Sequence, residues 1–114
     1  MTLINRAALV LQDPKREEKH VEALGGSVTV VEMDLTTRLT VERVSSGVDK
    51  ADPGAVYAVV PHVLAACVLD ADGEPLLNRM QWQSFGSRNR DAAVDLFNTA
   101  MRLSDIGGED AAKN

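Results

Sequence analysis

Aromatic side chains are scarce in this chain, at 4% of its residues: Tyr57, Trp82, Phe85 and Phe97. An aromatic-rich core is therefore excluded, and the interior must be built from Val, Leu, Ala and Met. With 114 residues the chain fits one domain that buries roughly two thirds of its unfolded surface. Such a core gives modest stability, or stability shared through self-association. Cysteine is nearly absent: Cys67 stands alone in an apolar run, which rules out an intrachain disulfide and reads as a small buried hydrophobe in a reducing compartment. Positive charge is short as well. Twelve Lys and Arg against seventeen Asp and Glu leave a net charge of −5, and the basic knots at Lys15-Arg16 and Arg88/Arg90 are diluted by acids. That balance argues against a nucleic-acid partner. No stretch reaches the roughly 18 apolar residues that cross a bilayer, since the longest apolar run, residues 55–69, contains Pro61 and His62. The N-terminus lacks the pattern of a signal peptide. The expectation is a soluble, cytoplasmic protein.

The order of residue types predicts a small α+β fold, mostly helical, with one β-hairpin near the N-terminus. Residues 1–106 form a single domain and residues 107–114 a disordered tail. Asn5 caps a short helix that runs to Leu11 and is ended by Asp13-Pro14. Residues 15–20 (KREEKH) read as a charged linker. Gly25-Gly26 in VEALGGSVTVVEM marks a hairpin, with Val28 and Val30 on one face and Thr29 and Val31 on the other. A hairpin alone is marginal, so it leans on helices or pairs through its edge. Asp34 caps a helix from Leu35 to about Val44, with Val41 and Val44 as a partial apolar stripe. Residues 45–54 (SSGVDKADPG) form a loop. Residues 55–69 make a central helix, broken at Val60 because Pro61 fits a first helical position. An acidic turn over residues 70–75 follows, then Leu76 and Leu77 return to the core and residues 78–84 form a short helix. Ser87 or Asn89 caps the last helix, whose apolar face is Ala93, Leu96, Phe97, Ala100 and Leu103. Arg102 suits its C-terminal end, and Gly107-Gly108 terminates it.

Candidate chemistry is thin. Asp70-Ala71-Asp72-Gly73-Glu74 resembles the start of a calcium loop, but its sixth place is Pro75 and its twelfth Gln81, where the loop needs Gly and Glu. Gly25-Gly26 lacks the further glycine and lysine of a phosphate loop. Cys67 with His20 or His62 would be a thiol and a base, yet the apolar setting disfavours a thiolate, and His62 reads as a partly buried polar residue. No metal, cofactor or catalytic cluster is expected. Trp82 and Phe85, the large side chains of a polar stretch, read as core anchors or as a partner-facing hot spot.

Three segments in sequence, VEALGGSVTVVEM, VLAACVLDADGEPLL and LSDIGGEDAAKN, give the chain its resemblance to the tail assembly chaperones of long-tailed, lambdoid-type phages and prophages. Each is weak alone; their order and spacing carry the likeness over most of the length. Pro61 inside the central helix and the long loop at 45–54 depart from the pattern. The resemblance implies a protein without catalytic activity that binds the tape measure protein, keeps it soluble and promotes assembly of the tail tube. It implies residence in the host bacterial cytoplasm and absence from the mature virion. The physics is coherent: an amphipathic helix without a core of its own aggregates unless covered, and a small protein with apolar helical faces covers it. The expected contact residues are Trp82, Phe85, Leu96, Phe97 and Met101, with self-association alongside.

In this family a ribosomal frameshift near the gene's end often yields a longer product, which would connect the chaperone to the tail tube protein. Ala112-Lys113-Asn114 can be encoded GCA-AAA-AAC, which contains the slippery heptamer A-AAA-AAC in frame. An Ala112 codon not ending in A, or AAG at Lys113, removes that reading. The rival expectations are a small structural or adaptor protein of a phage particle and a domain whose chemistry centres on Cys67.

Overall fold

The computed structural model describes residues 3–47 and 58–105. Expectations for residues 48–57, for Gly107-Gly108, for the tail and for Ala112 to Asn114 fall outside them. The described residues form a small α+β fold in which a three-stranded antiparallel sheet packs against helices.

The sheet is built from β1 (Arg16–Val21), β2 (Gly26–Val31) and β3 (Val68–Leu69), with β2 in the centre. β1 and β2 pair from Arg16↔Val31 to Val21↔Gly26, and β2 pairs with β3 at Thr29↔Leu69 and Val30↔Val68. The charged run expected as a linker is thus an edge strand. The reason lies in its alternation: Glu17, Lys19 and Val21 turn inward by degrees while Arg16, Glu18 and His20 stay exposed. Long side chains on such a strand lay their stems on the protein and keep their charges in water, and charges on an edge discourage pairing with other chains. The link between the strands is a single 3-10 turn, Glu22–Leu24, rather than strand. Gly25 closes it at φ 79°, where its N–H donates to the Glu22 carbonyl at 3.0 Å; a residue with a Cβ is strained in that region. Val28 and Val30 are buried, as the alternation predicts, and Thr29 and Val31 are half-buried on the other face.

Upstream, Asn5 caps a turn through the Ala7 N–H at 3.0 Å, but the helix is only the 3-10 turn Arg6–Ala8. After β2, Asp34 Oδ1 accepts from the Thr37 N–H at 2.8 Å and opens α1 (Leu35–Gly47). This helix continues through Ser45, Ser46 and Gly47, further than Val44. Val41 is buried.

α2 (Val60–Cys67) carries Pro61 in its first turn, so the break falls where the missing N–H costs least. Val60, Val63, Leu64 and Cys67 are buried. The helix ends earlier than Leu69, because Val68 takes extended angles and joins β2 as β3. The acidic turn follows at once: Asp70 Oδ1 accepts from the N–H groups of Asp72 at 2.8 Å and Glu74 at 3.0 Å, with Gly73 at φ 80°. Leu76 and Leu77 come back to the core edge. α3 (Arg79–Arg88) and α4 (Arg90–Leu103) complete the chain. α4 lies across β1 and β2 on one side and against α2 and α3 on the other. The core runs through Val30, Val63, Leu64, Val68, Trp82, Leu96 and Ala100.

Candidate partner-binding surface

α3 starts with a reciprocal cap: the Gln81 N–H donates to Asn78 Oδ1 at 2.8 Å, and the Asn78 N–H donates to Gln81 Oε1 at 2.9 Å. Two orphan donors are thereby satisfied, and the helix is fixed so that Trp82 points inward. Trp82 is 1% exposed. Its ring meets that of Phe85 edge-to-face, with centroids 5.3 Å apart and planes at 90°, a favoured aromatic geometry. At the junction with α4, Asn89 sits in the capping position, but its side chain turns back and donates to the Phe85 carbonyl at 3.3 Å. Ser87 Oγ donates to the Gln83 carbonyl. Neither residue caps α4 through its side chain.

The five residues singled out in the sequence occupy two environments. Trp82 and Leu96 are interior, at 1% and 0% exposure, and hold the domain together. Phe85, Phe97 and Met101 are half-buried and packed against the core. Phe97 and Met101 stand one turn apart on α4, so their outer edges share a side. Thr99, absent from the predicted stripe, is buried there because its hydroxyl donates to the Asp95 carbonyl at 2.9 Å.

Three further apolar features are exposed. Leu35 and Leu39, one turn apart on α1, are 70% and 51% exposed. Their i, i+4 spacing is a signal readable in the sequence. The N-terminal segment exposes Leu3, Ile4, Leu9, Val10 and Leu11. Finally, a groove of about 270 Å³ opens between the start of α2 and the α3–α4 junction, lined by Val60, Pro61, Trp82, Gly86, Ala93 and Val94 among others. A Cβ at Gly86 would stand 3.6 Å from the Ala93 Cβ, an ordinary van der Waals contact, so the two helices pack closely there without needing a glycine. Trp82 Nε1 is buried beside this groove without an acceptor, a state that costs about 1–3 kcal/mol.

Cys67 is 1% exposed, and burial, aided by the negative charge of Asp34, pushes its thiol up to about 12. No hydrogen bond joins it to His20 or His62 among the described residues, and a thiol so held is a poor nucleophile. Asp34 is lowered from the ordinary carboxylate range, first by the Thr37 N–H, then by the Thr37 hydroxyl, with a smaller help from the charge of His62. Among the described residues no three His, Cys, Asp or Glu gather as a metal site. No described helix is long and apolar enough to cross a membrane.

The fold is similar to that of one solved phage protein. The solved structure of the bacteriophage HK97 tail assembly chaperone matches with a TM-score of 0.50 and 16% sequence identity, over 79% of this chain and 88% of that one. At that identity the likeness is one of fold. No protein-family model and no curated protein matches the sequence.

Proposed function

We propose that the protein is an assembly chaperone of a long-tailed phage, which binds the tape measure protein, keeps it soluble and promotes tail tube assembly without breaking bonds. The observation that carries this reading is the shared fold with the HK97 protein over most of both chains. Apolar surface supports it: Phe85, Phe97 and Met101 on the helical side, Leu35 and Leu39 on α1, and the N-terminal segment all present hydrocarbon to solvent. Large apolar patches mark interaction sites on soluble proteins, and an amphipathic client helix is the natural complement. The protein acts in the host cytoplasm, associates with itself and leaves before the virion matures. A frameshift at Ala112-Lys113-Asn114 would add a segment that reaches the tail tube protein.

Co-expression tests the reading. With the chaperone present the tape measure protein of the same phage stays in the soluble fraction; without it the client sediments. A client equally soluble in both cases ends the proposal.

A further inference from the structure

Ser104, at the C-terminal end of α4, grips α1 and the approach to it at two points. Its hydroxyl accepts from the Met33 N–H at 2.8 Å, and its carbonyl accepts from Arg38 Nη1 at 2.6 Å. Met33 is itself 4% exposed, so the chain is pinned just before the helix begins. Asp34 and Leu35, the next two residues, are exposed. One turn into α1, Arg38 reaches back to the residue that holds the pin. Its cation meets the carbonyl end of α4, where the helix dipole favours positive charge. The rest of the hold on α1 is thin. The helix packs on α2, and among its described side chains Thr37 and Val41 are buried, whereas Leu35, Thr36, Leu39, Glu42 and Arg43 are exposed. By contrast α2 buries Val60, Val63, Leu64 and Cys67 within eight residues. Segments with few buried apolar side chains open at lower free energy than the core.

We propose that α1 is a hinged lid, which pivots between the pinned Met33 and Asp34 and is latched shut by the Arg38–Ser104 hydrogen bond. The hinge lies where such motions are absorbed, in a few residues at the end of an element: Glu32, Met33 and Asp34 belong to neither β2 nor α1. Asp34 accepts from the Thr37 N–H, so the cap travels with the helix and α1 moves as one piece. Closed, α1 presents Leu35 and Leu39 to solvent and keeps Thr37 and Val41 buried. The two pairs stand on opposite sides of the helix, because successive residues turn by about 100°. Open, α1 adds Val41 to the apolar surface while the strands, α2, α3 and α4 stay packed. The latch thus stores apolar surface that a small protein would otherwise expose at all times as an interaction patch. A molecule that binds the inward side of α1 draws the lid open by as much as it prefers that state.

The test needs no client, so it stands or falls apart from the function proposed above. In a C67A background, Val41→Cys places a thiol where the native side chain is 2% exposed. Its labelling by a maleimide under native conditions reads every state in which α1 is lifted. Urea unfolding of the same protein gives the globally unfolded population. The thiol is labelled at least about tenfold faster than that population accounts for. Latch and pin meet at one residue but respond differently. R38A removes the latch and raises the labelling rate by about tenfold or more. S104A removes the bond that pins Met33, which the closed and open lid share, so it lowers the urea midpoint and leaves the labelling rate unchanged. Thr37→Cys, at a position 4% exposed on the same side of α1, serves as the probe if V41C does not fold. Labelling no faster than global unfolding allows, a rate that R38A leaves unchanged, or a rate that rises in S104A in step with its loss of stability each overturns the proposal.

Discussion

The Met33 backbone N–H donates to the Ser104 hydroxyl at 2.8 Å, joining positions 71 residues apart in the interior. The same hydroxyl donates to the Ala100 carbonyl at 2.7 Å, and the Ser104 carbonyl accepts from Arg38 Nη1 at 2.6 Å. One residue with no exposed surface therefore fastens the end of α4 to the exit of β2 and to α1. Ser104→Ala keeps the backbone contact but leaves the Met33 N–H buried without a partner. The expected loss is about 1–3 kcal/mol, read as a lower urea midpoint at unchanged slope. A change within a few tenths of a kcal/mol would show that the link is dispensable.

Cys67 provides a chemical check on the core. Its thiol, pushed up to about 12 by burial and by Asp34, should not react with a maleimide at pH 8 in the folded protein and should react at once in denaturant. The linkage follows from the sign of the shift. The unfolded thiol begins to ionise near 9.0 while the folded one keeps its proton. Above that pH the unfolded state binds fewer protons, so stability falls, by up to about 1.4 kcal/mol per pH unit, until the folded thiol also ionises. Cys67→Ala should remove that part of the alkaline slope.

Trp82 and Phe85 separate folding from binding. Trp82→Ala empties the middle of the core and should cost about 3–5 kcal/mol. Substitutions at the outer edges of Phe85 and Phe97 to Ser should weaken retention of a client more than they lower the melting temperature. Parallel measurement of thermal unfolding and client co-purification distinguishes the two; an F85S protein that melts as early as W82A would place Phe85 with the core.

Asp34 tests the entry to α1. Asp34→Ala removes the acceptor for the Thr37 N–H and should cost about 1 kcal/mol, whereas Asp34→Asn keeps an oxygen in place and should cost much less. Because the folded carboxyl is lowered from 3.8, its ionised form contributes stability above that pH, and the contribution is lost as the pH falls through the lowered value. The wild-type protein should therefore lose stability in acid more steeply than D34N.

What was legible in the sequence followed local chemistry. Asn5, Asp34, Pro61 and the Asp70–Gly73 turn each specify backbone geometry within a few residues, and each does so in the structure. The elements that were missed depend on distant partners. Residues 15–20 look like a solvated run until β2 and α4 stand beside them: Glu17 meets Arg102 at 2.7 Å and Lys19 meets Asp95 at 3.2 Å. Such exposed pairs add little energy, but they show which face of the strand α4 covers. Val68 and Leu69 read as the end of a helix because only pairing with Thr29 and Val30 makes them a strand. The division of the candidate surface into interior Trp82 and Leu96 and outer Phe85, Phe97 and Met101 was likewise invisible, since helical spacing gives the face of a residue but not how much of it the neighbours cover.

The most direct test of the account is calorimetry of this protein with the tape measure protein of the same phage, repeated at several temperatures. Burial of apolar surface gives binding with a clearly negative heat-capacity change, diminished by substitution of Phe85 and Phe97. Absence of binding, or binding with a heat-capacity change near zero that those substitutions leave untouched, would contradict it.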